Sequence, residues 1–240
     1  MKRILTCSLI STLLLGGCNT PKHLPREVVV VPDMSASIDP EAERQMFAAI
    51  EDVAQHLHRG DTLTIIPITD DADAELQGRT LHYIVPTVEN RQAYDADLRR
   101  LHSQIKDDLA QLQADAVAHP GKQTDILGSI RVAMREFSSR PTDKWLIVLS
   151  DFIQDDRQFN FRKDPRLANA ICAEALGKTV GLPYGKYSSV RVALGRLRSK
   201  EFSALTPTRQ WAIDAFWERA MSPATVDPDG TAALRRSLAD

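Results

Sequence analysis

Residues 27–37 read EVVVVPDMSAS, and this stretch decides how the rest of the chain is understood. Four consecutive valines leave no polar face. A β-branched run without alternation is the pattern of a strand buried on both sides of a parallel sheet. Pro32 ends the run, and Asp33, Ser35 and Ser37 follow directly. The strand therefore delivers one carboxylate and two hydroxyls to its carboxyl end. In a tight turn, residues two apart return to the same side, so Ser35 and Ser37 can face one point beside Asp33.

Outward from this strand, apolar periodicity alternates between two kinds of element. Asp39-Pro40 supplies a capping carboxylate and a proline at the first helical position. Met46, Phe47, Ile50, Val53, Ala54 and Leu57 then recur at helical spacing until Gly60. Residues 61–69 and 81–85 read as strands, and the short link between them predicts an antiparallel edge pair. A long helix over about residues 90–117 carries the stripe Tyr94, Leu98, Leu101, Ile105, Leu109, Leu112 and Ala116, a sheet-covering face. A helix at 125–137, a strand at 144–150, a helix at 165–176 and a strand at 190–197 follow. A closing helix at 207–221 carries Trp211, Ala215, Phe216 and Ala220. The expected architecture is α/β: an open, mostly parallel, doubly wound Rossmann-like sheet with helices on both faces. One domain over residues 27–221 accounts for it, followed by a polar tail at 222–240 with one weak helical turn.

Composition agrees with one large domain: 240 residues, 43% hydrophobic and 26% charged. Thirty basic against 32 acidic side chains give a formal charge of -2, and aromatics are only 6%. Without a basic excess or a supply of stacking rings, nucleic acid is not an expected partner.

The N-terminus is read apart from the fold. Met1-Lys2-Arg3 is a short positive start, residues 4–15 are largely apolar and uncharged, and Gly16 and Gly17 precede Cys18. This is the layout of an export signal, too short for a spanning helix of about 20 residues. Leu15-Gly16-Gly17-Cys18 resembles the lipobox of bacterial lipoproteins. The resemblance implies removal of residues 1–17 and acylation of Cys18. Residues 18–26 then form a lipidated tether, which reaches about 30 Å at full stretch. Asn19 after the cysteine implies the outer membrane of a bacterial cell envelope. Of the three cysteines, Cys7 leaves with the signal and Cys18 carries lipid, so an internal disulfide is excluded. Cys172 falls in the apolar pattern of Leu167, Ile171 and Leu176 and is expected to be a buried structural thiol.

In open α/β sheets, ligands bind beyond the carboxyl ends of the strands, where strand order reverses. Besides Asp33, Ser35 and Ser37, two further polar positions belong there. Thr124 follows Gly121-Lys122-Gln123 at the start of a helix, and Asp151 follows Ser150 at the end of the second apolar strand. Three loops thus offer two carboxylates and three hydroxyls. Hard oxygen donors without sulfur or imidazole suit magnesium or manganese, with several waters retained.

This set resembles the metal-ion-dependent adhesion site of von Willebrand factor A domains, and the likeness covers about residues 27–221. The resemblance implies that Ser35 and Ser37 ligate the ion directly. It implies the same for Thr124, directly or through water, while Asp33 and Asp151 act mainly through water. The open position takes a glutamate or aspartate of a partner protein. Phe152 stands where many members have glycine, which stiffens or shields that loop. Asp155 and Asp156 read as a solvated acidic loop. His56 and His58 lie two apart on a helix, face different sides and make poor joint ligands.

The function expected is a lipid-anchored, divalent-metal-dependent protein-binding module. The alternatives are a metal-dependent hydrolase and a purely structural envelope scaffold. Activating a metal-bound water needs a placed base, and a set of mainly neutral hydroxyls supplies none, so no catalytic residue is assigned.

Overall fold

The computed structural model describes residues 24–35, 37–68, 70, 79–119, 123–180, 189–224 and 226–227. Cys18, the segment 1–17 and most of the tether and tail lie outside the described residues.

The valine run forms β1 (Arg26–Pro32). Asp39 accepts from the backbone N–H of Glu41 and Ala42 and opens α1 (Pro40–Gln55). Then come β2 (Thr62–Ile65), β3 (Leu81–Ile84), α2 (Arg91–Ala118) and α3 (Ile126–Glu136). They are followed by β4 (Asp143–Ser150), a 3-10 turn (Pro165–Leu167), α4 (Ala170–Val180) and β5 (Val190–Arg196). The short α5 (Lys200–Ser203), α6 (Pro207–Ala220) and β6 (Val226–Asp227) complete the described fold.

The six strands lie in the order β3-β2-β1-β4-β5-β6. Only β3 is antiparallel, paired with β2 through Leu63↔Tyr83 and its neighbours. All other pairs are parallel. Chain order runs one way from β1 and the other way from β4, and these two strands are neighbours, from Arg26↔Asp143 to Pro32↔Leu149. The reversal point is therefore the crevice between the ends of β1 and β4.

The central strands read as continuous apolar runs because alternate side chains enter different half-cores. Val28, Val30, Trp145, Ile147 and Leu149 pack with Met46 and Ile50 of α1 and Ile105 and Leu109 of α2. Val29, Val31, Leu146 and Val148 pack on the opposite face with α3 and α6. Each fully buried valine contributes about 1.5–3 kcal/mol relative to exposure. With helices on both faces, the polar residues of these two strands are confined to their ends, Arg26 and Glu27 in β1 and Asp143, Lys144 and Ser150 in β4. Among the described residues, no helix is long and apolar enough to cross a membrane.

Four local readings are corrected. The helix placed over 165–176 is a 3-10 turn followed, after a break, by α4. Cys172 is exposed rather than buried, and Ile171 is 81% exposed. The buried face of α4 is Ala173 and Gly177, because it packs against α6 at backbone distance. On α6, Trp211 is 69% exposed, and Ala212, Ile213, Phe216, Trp217 and Ala220 form the inner face. Finally, within the stretch read as a polar tail, Val226 and Asp227 pair in parallel with Leu194 and Gly195, so the sheet continues past residue 221.

Candidate functional site

Asp33 sits one residue past β1, still bridged to Ile68, with no exposed surface. Its backbone N–H donates to the Leu149 carbonyl at 2.8 Å. Its Oδ1 accepts from the Ser35 N–H at 3.0 Å, and its Oδ2 accepts from the Ser150 hydroxyl at 2.6 Å. Ser35 and Ser37 bring their hydroxyls to 2.9 Å of each other, so both return to the Asp33 side of the turn.

Asp151 is the first residue past β4 and is also fully buried. Its Oδ1 accepts from the Ile153 N–H at 3.0 Å, and its Oδ2 from the Ser199 hydroxyl at 2.7 Å. Ser199 is at the same time the N-cap of α5, accepting from the Phe202 N–H at 2.9 Å. The loop after β5 is thereby tied to the carboxylate of β4.

Thr124 arrives from the third loop. It is buried and pairs with Asp155 through both backbone hydrogen bonds, Thr124 N–H to Asp155 O at 2.7 Å and Asp155 N–H to Thr124 O at 3.1 Å. It is held beside the Asp151 loop by backbone, and no side-chain hydrogen bond joins it to Asp33 or Asp151 among the described residues. The neighbouring Gln123 N–H donates to Asp70 Oδ1 at 3.2 Å, so the segment after β2 reaches this rim as well.

Several residues that hold the site carry no motif signal. Gln154 is fully buried, and its Oε1 accepts from the N–H groups of Ile126 and Leu127, capping α3 from another loop. Its Nε2 donates to Asp125 and Asp156 at 3.1 and 2.7 Å. Ser150 and Ser199 each bind one of the two carboxylates. The apolar strand before Ser150 and the cap position of Ser199 were the available signals, and neither distinguishes a carboxylate partner from an ordinary serine. Asp155 and Asp156 are not a solvated pair: Asp155 is bound by Arg162 and Asn160, while Asp156 accepts from Gln154, Gln158 and Phe159.

Phe152 takes the left-handed backbone conformation, φ 64°, that favours glycine. Its side chain is fully buried against Trp217, ring centroids 5.6 Å apart, and its carbonyl accepts from the Trp217 indole N–H at 2.9 Å. The loop that carries Asp151 is thus fixed to α6.

Electrostatically the site is short of positive charge. Burial pushes the Asp33 carboxyl up, against the hydrogen bonds from Ser150 and Ser35 and the field of Arg162. Burial, and then the Asp33 charge, push Asp151 up to about 7. Arg162 is bound to Asp155 and Glu201, so it is shared among several carboxylates. Among the described residues, no group of three or more His, Cys, Asp or Glu side chains gathers at one point. The oxygen set expected from the sequence is two carboxylates, both buried here, with the hydroxyls of Ser35, Ser37 and Thr124. A hard divalent ion fits that chemistry: its charge offsets the buried pair, and neutral hydroxyls leave it waters to exchange.

No family model matches the chain, and no curated protein does so. Solved structures are similar at low identity. Proximal thread matrix protein 1 from the mussel byssus is 15% identical with a TM-score of 0.41, the match covering 83% of this chain and 46% of that one. A von Willebrand factor type A structure from Catenulispora acidiphila is 18% identical, TM-score 0.41, covering 90% and 42%. The manganese-loaded TRAP protein of Plasmodium vivax is 10% identical, TM-score 0.43, covering 88% and 72%. The chain spans less than half the length of the first two, and its fold assignment rests on the strand order and register above.

Proposed function

We propose that this chain is a lipid-anchored, divalent-metal-dependent protein-binding module of the von Willebrand factor A type. The observation that carries the reading is the pair of fully buried carboxylates, Asp33 and Asp151, at the reversal point of the sheet beside the hydroxyls of Ser35 and Ser37. Ser35, Ser37 and Thr124, with Asp33 and Asp151, would hold a magnesium or manganese ion. Bound there, the ion supplies a Lewis-acidic position for the carboxylate of an acidic residue on a partner protein.

The chain's own residues preorganise that position. Ser150 and the Ser35 N–H fix the Asp33 carboxylate, and Ser199 and the Ile153 N–H fix that of Asp151. Each oxygen of the two carboxylates already accepts one hydrogen bond, so both are held in a fixed orientation toward the proposed ion. Holding the donors in place beforehand reduces the ordering cost of binding.

The test is the thermal midpoint of the purified chain with magnesium, manganese, calcium or chelator, beside Asp33→Ala and Asp151→Ala. At one hundred times its dissociation constant a bound ion stabilises by about 2.7 kcal/mol, several degrees for a domain of this size. Magnesium or manganese should raise the wild type and neither variant. An equal rise in all three, or none in the wild type, rejects the ion site; retention of partner affinity in chelator rejects the carboxylate bridge.

The anchor is proposed from Leu15-Gly16-Gly17-Cys18, with the mature chain on the bacterial envelope, at the outer membrane. Cys18→Ser should move the chain from the membrane fraction to the soluble fraction and end its labelling by radioactive palmitate. Unchanged fractionation would reject the lipid anchor.

A further inference from the structure

A cleft of about 250 Å³ opens beside the candidate site between the start of α1 and the end of α2. Asp33 and Ser35 form one side of it, so it adjoins the position assigned to the ion. Its apolar walls are Met34, Ile38, Met46 and Val117. Met46 is buried, while Val117 is 74% exposed at α2's end. The remaining charged lining residue is Glu43, and no basic residue lines the cleft. Glu43 is half-buried, and among the described residues no hydrogen bond or ion pair engages its carboxylate.

An aliphatic side chain alone would satisfy the walls but would further desolvate an unpaired carboxylate, which is unfavourable. An anionic side chain would meet Glu43 and Asp33 with like charge. A lysine side chain suits the whole lining, its methylene stem against the two thioethers and its ammonium at Glu43. We infer that this cleft receives a lysine side chain of the partner protein, next to the acidic residue engaged at the ion. The inference rests on the proposed binding role for the source of that lysine, whereas the cleft and its carboxylate do not depend on the ion.

The experiment follows methionine methyl resonances of the full chain, carbon-13 labelled at the methyl, in chelator, with N-acetyl-lysinamide as the probe. Met34 and Met46 line the cleft, whereas Met134 and Met221 are buried in the opposite half-core and serve as internal controls of folding. Lysinamide should shift Met34 and Met46 and leave Met134 and Met221 unmoved. N-acetyl-norleucinamide, with the same stem and no charge, should bind about fivefold more weakly, the worth of one partly screened ion pair. Glu43→Gln should remove that preference while Met134 and Met221 keep their positions. Equal binding of the two probes, a preference unchanged in Glu43→Gln, or no shift at Met34 and Met46 would each overturn the inference. Because magnesium is absent, loss of the ion reading leaves these outcomes standing, and their failure leaves the ion reading standing.

Discussion

Phe152 shows how one residue can be costly locally and stabilising in context. A non-glycine side chain at φ 64° carries strain of about 1 kcal/mol or more. The fully buried ring packs on Trp217, and the indole N–H is spent on the Phe152 carbonyl. Burial of the aromatic outweighs the strain, since truncating a buried Phe costs about 3–5 kcal/mol. Phe152→Gly relieves the backbone and loses the ring, so it should destabilise by about 2–4 kcal/mol in urea unfolding. A variant as stable as the wild type would mean that the ring does not hold the loop. Gln154 is the polar counterpart: four hydrogen bonds from one buried amide join the start of α3 to the loop after β4. Neither role follows from composition or spacing, because both are defined by what the residue meets from elsewhere in the chain.

Between elements, α4 meets α6 at backbone distance. A methyl group built on Gly177 would lie 2.5 Å from the Phe216 carbonyl oxygen and 3.2 Å from the Ala220 backbone nitrogen. Backbone cannot give way as a flexible side chain can, so Gly177→Ala should force the helices apart and cost about 1–3 kcal/mol despite its higher helix propensity. The denaturation midpoint would show it, and a stabilised variant would contradict the packing. This contact also explains why the pattern of α4 misled: small residues face inward, and Ile171 and Cys172 are left outside. On α6, the inner face is Phe216 and Trp217, which meet Phe161 and Phe152. Arg196 of β5, half-buried and paired with Asp214, secures the same helix to the sheet, its pKa brought down to about 10 mainly by the burial of its guanidinium.

Across the whole molecule, the sheet divides the core in two, and the ends of β1 and β4 place the candidate site at the point where the chain changes direction. Hydrophobic patterning determined the succession of strands and helices, the buried parallel centre and the antiparallel edge at β3. Those features are local, because periodicity and capping residues act within a few residues of each other. The loop order D-x-S-x-S, then Thr124, then Asp151, was likewise legible, since each stands just past an apolar strand or before a helix. Tertiary structure alone decided which serines bind the two carboxylates and that Gln154 bridges two loops. It also turned Cys172 outward and extended the sheet through Val226 and Asp227. These are long-range contacts, such as Ser150 with Asp33 and Ser199 with Asp151, whose partners are brought together only when the strands are assembled in their final order.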